Sequence, residues 1–403
     1  MSEKIVVTSI GIISALGQGR KAHIDAFRAQ QSGLRYPQHL KSKYADEFVL
    51  GEVRLSNDEL SELVGLPTGD NGYTRTTLLA LAAVQDIVND AGLALLQNVP
   101  TAFINANTVG GMCTVENMYM EFIAPTAPEE YLKYIDTLDC AESTQRITEH
   151  FGLNAFSATV STACSSSANA FIFGARLIKQ GVVKRAICGG CDSLSRFTLN
   201  GFHSLKNVDK NPSKPFDQNR LGLNLGEGAG YVLLETESSA KERGAHIIAE
   251  FSGYYNSNDA YHPTAPSPDG AGAYRTMQKA MEMAGLQPQD IGYINAHGTA
   301  TQSNDSAEGK AIENLFGSDA PYFSSTKPFV GHTLAAAGSL EAIFSMYAME
   351  EQMIIPNLNF ETRMEELNIS PVASLIENVA LKHVLSNSFG FGGNNVSLVF
   401  SKP

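Results

Sequence analysis

Val160-Ser161-Thr162-Ala163-Cys164-Ser165-Ser166-Ser167-Ala168-Asn169-Ala170 is the stretch that decides the fold of this chain. An apolar run of strand character, Phe156 to Val160, leads into it, and apolar residues at helical spacing continue from Ala168 to Ile178. This pattern predicts a strand-to-helix elbow with Cys164 at the bend. Free N–H groups and the positive end of the helix dipole would favour the thiolate there and would stabilise an oxyanion beside the sulfur. The alternative is a structural cysteine, because free cysteines usually pack as small hydrophobic side chains.

The composition limits what the protein can be. The chain has 403 residues, of which 43% are hydrophobic and 18% charged, and its formal net charge is −13. This length predicts two domains, or two halves of one large domain, with enough apolar residues for a large core. The negative charge argues against nucleic acid or an anionic membrane as a partner, because phosphate contacts need a basic surface.

The cysteines and the apolar segments bear on location. Five cysteines form an odd and scattered set, which fits a reducing compartment better than a disulfide framework. The N-terminus lacks the pattern of a signal peptide, and no stretch approaches the roughly 20 apolar residues that span a bilayer. We therefore expect a cytoplasmic protein without a membrane segment.

An internal repeat runs through the chain. The run Ala91-Gly92-Leu93, followed after a linker by Ile104-Asn105-Ala106-Asn107-Thr108, recurs as Ala284-Gly285-Leu286 and Ile294-Asn295-Ala296-His297-Gly298-Thr299. Each copy follows a predicted helix and includes a predicted strand. A duplication of alternating strands and helices implies two similar α/β halves that pack together.

The repeat continues around the cysteine. Ser161-Thr162-Ala163-Cys164 has a counterpart in Ser325-Thr326-Lys327, which is followed by a predicted helix from Leu334 to Met349. Strand-like segments end both halves, at residues 228–234 and 392–399. We predict an N-terminal half over residues 1–240 that carries the cysteine and a C-terminal half over residues 241–403.

A pseudo-twofold axis between the halves would place Cys164, His297 and His332 at the ends of equivalent elements. Ligands in α/β folds bind at such strand ends, so these side chains could converge. Lys327 lies five positions before His332 and would join them.

Five motifs resemble those of the β-ketoacyl-[acyl-carrier-protein] synthases of the I/II type, which are decarboxylating condensing enzymes of the thiolase fold. They are STACSSSA around Cys164, NAHGTAT around His297, Ser325-Thr326-Lys327 with GHTLAAAGSLEA around His332, KPFD with GEGAG between Lys214 and Gly230, and NSFGFGGNN from Asn387. The resemblance implies a thiolase-like α/β fold, in which two duplicated halves with mixed sheets form a layered α-β-α-β-α arrangement.

The same resemblance implies the roles of the central residues. Cys164 would be the nucleophile that takes an acyl chain from the phosphopantetheine thiol of a carrier protein, and the N–H groups of Cys164 and Phe391 would form an oxyanion hole. His297 and His332 would stabilise the enolate formed when a malonyl thioester loses CO2. Whether either histidine also acts as a base stays open. Lys327 would hold this network in place.

Supporting and substrate-binding residues follow from the resemblance as well. The carboxylates are Asp305 and Glu308, as candidate partners of Lys327, and Glu341, with a structural or ion-linked role. Thr299 and Thr301 would bind the pantetheine arm, while Val109, Phe202 and Phe389 would contact the substrate. Phe391 would be a gate that swings aside, with flanking glycines that give its backbone freedom. No resident cofactor or metal is expected, because the phosphopantetheine arm is part of the substrate.

Two glycine- or cysteine-rich segments suggest other functions, and we discount both. Cys188 and Cys191 have C-x-x-C spacing, but no second pair of ligands lies nearby in the sequence to complete a zinc site. The run Gly226-Glu227-Gly228-Ala229-Gly230 leads into a strand, whereas a dinucleotide site needs a helix there.

The sequence departs from the family pattern where substrate choice is decided. Arg220-Leu221-Gly222-Leu223 stands where Arg-Asp-Gly-Phe is usual, Asn394 stands where Thr is usual, and residues 119–151 are unusually polar. These departures favour a ketosynthase of a specialised polyketide or polyene pathway over one of general fatty-acid synthesis. A non-catalytic chain-length partner in a ketosynthase heterodimer is the alternative from another class. The partners expected are an acyl carrier protein and a second copy of the chain, or else a related subunit.

Overall fold

The computed structural model describes residues 3–123 and 134–403, in which strands and helices alternate. The strands are β1 (Ile5–Ser14), β2 (Gly17–Gln18), β3 (Thr101–Ala106), β4 (Phe156–Val160), β5 (Arg185–Asp192), β6 (Gly228–Thr236), β7 (Ala249–Asn258), β8 (Tyr293–Asn295), β9 (Tyr322–Ser324), β10 (Met353–Ile354), β11 (Ile376–Glu377), β12 (His383–Gly390) and β13 (Asn394–Ser401). The helices are α1 (Gly19–Arg28), α2 (Asn57–Leu63), α3 (Arg75–Ala91), α4 (Leu93–Asn98), α5 (Met112–Phe122), α6 (Cys140–Phe151), α7 (Ser166–Lys179), α8 (Arg196–Ser204), α9 (Glu237–Glu242), α10 (Ala271–Ala284), α11 (Gln302–Phe316), α12 (Lys327–Val330) and α13 (Ala337–Glu350).

The strand order repeats from the first half of the chain to the second. The first five-stranded unit has the order β4-β3-β5-β6-β1, and the second has the equivalent order β9-β8-β12-β13-β7. In each unit the first three strands are parallel and the last two are antiparallel to their neighbours. Two residue pairs, Val6 with Glu250 and Val7 with Ala249, join the units. The predicted duplication is therefore confirmed, while the division at residue 240 stays a prediction.

The two sheet units enclose a pair of helices. Helix α7 packs on β3 and β5 of the first unit, and α13 packs on β12 and β8 of the second, while the two helices also contact each other. Gly338 lets them approach closely, because a Cβ there would lie 2.9 Å from the Cβ of Ala168. Helix α3 covers the outer face of the first unit and α10 that of the second. This is the predicted α-β-α-β-α layering.

Two predicted elements differ from the structure. The apolar run at residues 5–8 predicts a first strand there, and in the structure this strand continues to Ser14. Gly11 lies within it, and a Cβ at that position would collide with the carbonyl oxygen of Ala83 on α3. The last long helix, predicted from Leu334, begins at Ala337, because Leu334 has a positive φ of 53° that a continuous α-helix cannot contain.

The outer strands of the two units differ in how they are covered. The N–H of Val372 donates to the carbonyl of Phe323, so a later segment caps β9. Strand β4 pairs with β3 alone within the described residues, and Phe156 at its start is 36% exposed. The unit that carries Cys164 thus ends in an open strand edge in the part of the chain that the structure describes. In that same part, no helix has both the length and the apolarity to cross a bilayer.

Candidate active site

Cys164 lies in the elbow between β4 and α7, as predicted. Strand β4 ends at Val160 and α7 begins at Ser166, and the intervening Ala163 has a positive φ of 52°. Left-handed backbone at a residue other than glycine is strained, and such strain is commonly found at functional sites. The side chain of Ser166 accepts a hydrogen bond from the N–H of Thr162 at 2.8 Å, which holds the elbow closed. Cys164 itself is buried, with 7% of its surface exposed.

His332 comes from the second half of the chain and faces the sulfur of Cys164. Its N–H donates to the carbonyl of Asn224 at 2.7 Å, and its own carbonyl accepts from Gly226 at 2.9 Å. These backbone bonds fix the residue just after α12. The Nε2 atom of His332 then lies 3.0 Å from the Sγ atom of Cys164.

His297 follows β8 and completes the cluster. Its ring centroid lies 5.5 Å from that of His332, and the two rings are nearly perpendicular at 87°. The Nζ atom of Lys327 lies 3.2 Å from Nδ1 of His297 and also donates to the carbonyl of His297 and to the carboxylate of Glu341. The side chains of Cys164, His297, His332 and Lys327 are therefore brought together, as the sequence predicts.

Hydrogen bonds to Nδ1 determine which nitrogen of each histidine carries the proton. Nδ1 of His297 faces the ammonium of Lys327, and Nδ1 of His332 accepts from the N–H of Leu334 at 3.1 Å. Burial is the main cause that holds the pKa of both imidazoles well below the usual 6.5, so both are neutral at pH 7. A neutral imidazole that accepts at Nδ1 carries its hydrogen on Nε2. Both histidines therefore present an Nε2–H donor to the site.

The carboxylate partner of Lys327 is Glu341, and the prediction of Asp305 and Glu308 in this role is wrong. Glu308 accepts from the backbone N–H groups of His297 and Gly298, each at 2.8 Å. Asp305 accepts in the same way from Thr299, Ala300 and Phe216. Both carboxylates thus shape the backbone around His297 without contacting the Lys327 ammonium.

Backbone donors converge on the sulfur of Cys164. The positive charge of Lys327 lowers the pKa of the Cys164 thiol, and the backbone N–H groups of Phe391 and of Cys164 itself act in the same direction. Burial nevertheless outweighs these effects and raises the pKa of Cys164 to about 11. The helix terminus was expected to favour the thiolate, but its effect on the pKa of Cys164 is smaller than that of burial. The elbow that supplies the donors also excludes water from the thiol.

We predict that iodoacetamide will alkylate Cys164 at a rate that rises about tenfold per pH unit from pH 7 to pH 10, because the thiolate is the attacking species. Peptide mass mapping at each pH, with Cys164→Ala as the blank, measures this rate. A plateau below pH 9 would mean that the N–H donors outweigh burial.

The cluster has the spacing of a metal site but the wrong donors. Ligand atoms of Cys164, His297 and His332 all lie within 4.8 Å of one another. A metal would have to replace the hydrogen on both Nε2 atoms, which would move each proton to an Nδ1 that already faces a donor. The arrangement favours an anion over a cation between the rings.

The C-x-x-C pair is also unsuited to metal binding. Cys188 and Cys191 are both buried in β5, where Cys188 packs in the cluster with Ala175 of α7 and Cys191 in the cluster with Leu79 of α3. The two thiols therefore point to opposite faces of the sheet, because residues three apart in a strand face opposite sides.

A narrow cavity of about 50 Å³ opens over the cluster. The predicted residues in its wall are Cys164, Phe202, His297, Thr299, Thr301, His332, Phe389 and Phe391. The ring of Phe391 stacks on that of Phe202, with centroids 5.6 Å apart and planes at 22°. Val109 does not line this cavity, but it packs against the same apolar cluster as Phe202 does. Phe391 thus contacts a side chain that borders both the cavity and that cluster.

The loop that carries Phe391 is fastened to a second loop that begins at Asn258. The Nδ2 atom of Asn394 donates to the carbonyl of Phe391 at 3.0 Å, and that of Asn258 donates to the carbonyl of Gly392 at 2.8 Å. The N–H of Gly392 donates in turn to Pro263. Sequence analysis noted Asn394 only as a departure, since the partner of a side-chain amide cannot be read from spacing.

Polar residues that the sequence analysis missed also line the cavity. They are Asn207, Asp259, Thr264, Ser303 and Asn304. Asn207, Asp259 and Thr264 come from loops whose positions depend on long-range packing, while Ser303 and Asn304 lie in the first turn of α11. Ser303 and Asn304 lie just after the NAHGTAT motif, but this proximity alone was too weak a signal to assign them to the site.

Comparison with known protein families shows to which family this chain belongs. The chain matches the family described as "Beta-ketoacyl synthase, N-terminal domain" over residues 2–240 and "Beta-ketoacyl synthase, C-terminal domain" over residues 248–361. The chain belongs to the β-ketoacyl synthase family. The predicted acyltransferase class is thereby confirmed, since the family consists of acyltransferase-type condensing enzymes.

Related β-ketoacyl synthases match over their whole length. The "3-oxoacyl-[acyl-carrier-protein] synthase 2" of Staphylococcus aureus (strain COL) is 30% identical and covers 100% of this chain and 99% of its own. The protein of the same name from Synechocystis sp. is 32% identical and covers 99% of this chain and 98% of its own. The solved structure of the ishigamide ketosynthase/chain length factor has a TM-score of 0.92 at 30% identity and covers 100% of both chains.

Proposed function

We propose that the protein is a 3-oxoacyl-[acyl-carrier-protein] synthase that catalyses decarboxylative condensation during fatty-acid or polyketide chain elongation. The observation that carries this proposal is the approach of His332 Nε2 to Cys164 Sγ at 3.0 Å, with a second Nε2–H donor on His297 beside it. A nucleophile next to two neutral donors fits a reaction in which negative charge builds on a thioester oxygen.

The first half-reaction moves the acyl chain onto Cys164. The sulfur attacks the thioester carbonyl of the acyl carrier, the oxyanion binds the N–H groups of Cys164 and Phe391, and the carbon–sulfur bond to the pantetheine breaks. The proton of the Cys164 thiol goes to the departing pantetheine thiolate. Neither histidine is arranged to take that proton, because Nε2 of each already carries a hydrogen.

The second half-reaction makes the new carbon–carbon bond. The malonyl thioester loses CO2, and the bonding electron pair becomes an enolate whose oxygen is stabilised by the Nε2–H groups of His297 and His332. The enolate carbon then attacks the acyl carbonyl on Cys164, and the Cys164 thiolate leaves and takes up a proton from solvent. Lys327 and Glu341 act as positioning residues, because they fix the tautomer of His297.

We assign the substrate contacts from the residues that line the cavity and from the rings that pack beside it. Thr299 and Thr301, whose hydroxyl oxygens lie 2.8 Å apart in the cavity wall, would bind the pantetheine arm. The acyl chain would pass Phe391 toward Phe202 and Val109, while Phe389 supports the cavity wall beside His297. Opening of the Phe391 gate would separate its ring from that of Phe202.

An acyl carrier protein is the proposed partner in both half-reactions, and the names of the full-length relatives support it. We also propose a dimer in which the open edge of β4 pairs with a second subunit. A second copy of this chain and a related chain-length subunit both fit that edge, and the likeness to a ketosynthase/chain length factor keeps the heterodimer open. All five cysteines are free, which supports a cytoplasmic location.

A non-catalytic chain-length partner is the second candidate, because the ishigamide structure includes a chain length factor. The intact arrangement of Cys164, His297 and His332 argues against this candidate. A subunit that only shapes a pocket does not need a nucleophile between two hydrogen-bond donors.

Incubation with a panel of acyl carriers and malonyl carrier tests the proposal. The acyl groups should differ in length and unsaturation, and mass spectrometry should detect a 3-oxoacyl product two carbons longer than the donor. The preferred donor separates general fatty-acid elongation from a specialised pathway. If no donor yields product, alone or with a chain-length subunit, the catalytic proposal fails.

A further inference from the structure

The turn after His332 is strained and supports the histidine directly. Leu334 has a φ of 53°, a left-handed conformation that a bulky side chain rarely adopts. In this conformation its N–H points back at His332 and donates to Nδ1 at 3.1 Å. The hydrogen bond that fixes the tautomer of His332 therefore requires the left-handed conformation of Leu334. An unconstrained leucine would adopt a different conformation.

A buried carboxylate holds the next residue of this turn. The N–H of Ala335 donates to Oδ2 of Asp192 at 2.8 Å. Asp192 ends β5 and is fully buried. Its other donors are the N–H groups of Thr108 at 3.1 Å and Val109 at 3.2 Å, and the Thr108 hydroxyl at 2.5 Å.

Asp192 has no cationic partner within the described residues, which is costly for a buried carboxylate. Burial accordingly raises the pKa of Asp192 to about 6, so that at pH 7 the ionised form predominates and is held by neutral donors alone. It binds one backbone N–H in the turn of His332, that of the predicted acyl-binding residue Val109, and that of its neighbour Thr108.

We infer that Asp192 is a positioning residue, which ties the wall of the acyl pocket at Val109 to the turn that keeps the Nε2–H of His332 directed into the site. This inference rests on the proposed condensation and extends it. Without the bond from Ala335, Leu334 relaxes out of the left-handed conformation, and its N–H no longer faces His332. Nδ1 of His332 then loses its donor, both tautomers become accessible, and the Nε2–H donor is lost from part of the molecules.

Asp192→Asn tests the inference, because an amide cannot accept from all of these donors and its own NH2 group opposes them. We expect malonyl decarboxylation to slow by about tenfold, a fraction of the effect of removing an oxyanion donor completely. Acylation of Cys164 by a short acyl carrier should change by less than about threefold, since it uses the N–H groups of Cys164 and Phe391.

Glu52→Gln is the matched control. Glu52 is likewise buried and accepts from three backbone N–H groups, those of Gln38, His39 and Leu40. The Glu52 side chain does not line the cavity over the catalytic cluster and bonds no residue of that cluster, so its loss should lower stability without changing the ratio of the two half-reactions.

Nitrogen NMR of histidine-labelled protein supplies a readout independent of activity. We expect the ring nitrogens of His332 to report the Nε2–H tautomer in the wild type and a mixture in Asp192→Asn, with those of His297 unchanged. An unchanged His332 tautomer together with an unchanged ratio of half-reactions would overturn the inference. If Asp192→Asn does not fold, Asp192→Glu replaces it, and an unchanged ratio and tautomer there would also overturn it. A wild type inactive in both half-reactions would instead defeat the proposed function, and the tautomer measurement would still test Asp192.

Discussion

Cys164→Ala is expected to abolish acyl-enzyme formation and to reduce condensation by more than about a thousandfold, because no other group can form the covalent intermediate. The thiols of the C-x-x-C pair cannot take over the role of Cys164. Cys188 and Cys191 are buried in β5, and burial strongly raises the pKa of both thiols. Intact mass spectrometry after incubation with an acyl carrier measures the acyl-enzyme.

Cys140→Ala is the control for this variant. Cys140 is half-buried at the start of α6 and does not line the cavity over the catalytic cluster, so its removal should leave acylation unchanged. Condensation that persists in Cys164→Ala would show that the nucleophile has been misassigned.

His297→Ala and His332→Ala are each expected to slow malonyl decarboxylation by about a hundredfold to a thousandfold, the usual effect of removing one oxyanion donor. Acylation should fall much less in both variants. Of the two, His332→Ala should slow acylation more, because its Nε2 is the one that contacts Sγ of Cys164. Rapid quench of each half-reaction separately gives the two rates.

His332→Gln provides a test of the donor role against a base role. A glutamine amide can donate a hydrogen bond but cannot take up a proton at neutral pH, so it should restore part of the decarboxylation rate. Equal loss of both half-reactions in the alanine variants, with no recovery in the glutamine variant, would contradict the assignment.

The local pattern of the sequence predicted the elements around the cysteine well. Strand β4 has the predicted bounds, and Cys164 lies in the predicted elbow. These predictions succeeded because a short apolar run that ends at small residues indicates a strand and the turn that follows it. The convergence of His297 and His332 on Cys164 followed from the internal repeat, which carries long-range information that local propensity lacks.

Other features depend on contacts that spacing does not encode. Glu341 of α13 pairs with Lys327 of α12, whereas Asp305 and Glu308, nearer in the sequence to His297, bind backbone N–H groups instead. The raised pKa of Cys164 results from the burial of the elbow between two halves of the chain, which the helix-terminus argument does not include. Residues 124–133 of the polar stretch that bears on the acyl pocket lie outside the described residues, so that prediction stays untested.

The most direct test of the account is intact mass spectrometry of the wild-type protein, first loaded with an acyl carrier and then mixed with malonyl carrier. We predict that Cys164 gains one acyl group and loses it only when the malonyl carrier is added, with a 3-oxoacyl carrier two carbons longer as the product. An acyl group that never forms on Cys164, or one that remains after malonyl carrier is added, would contradict the proposal that this chain is a catalytic ketosynthase.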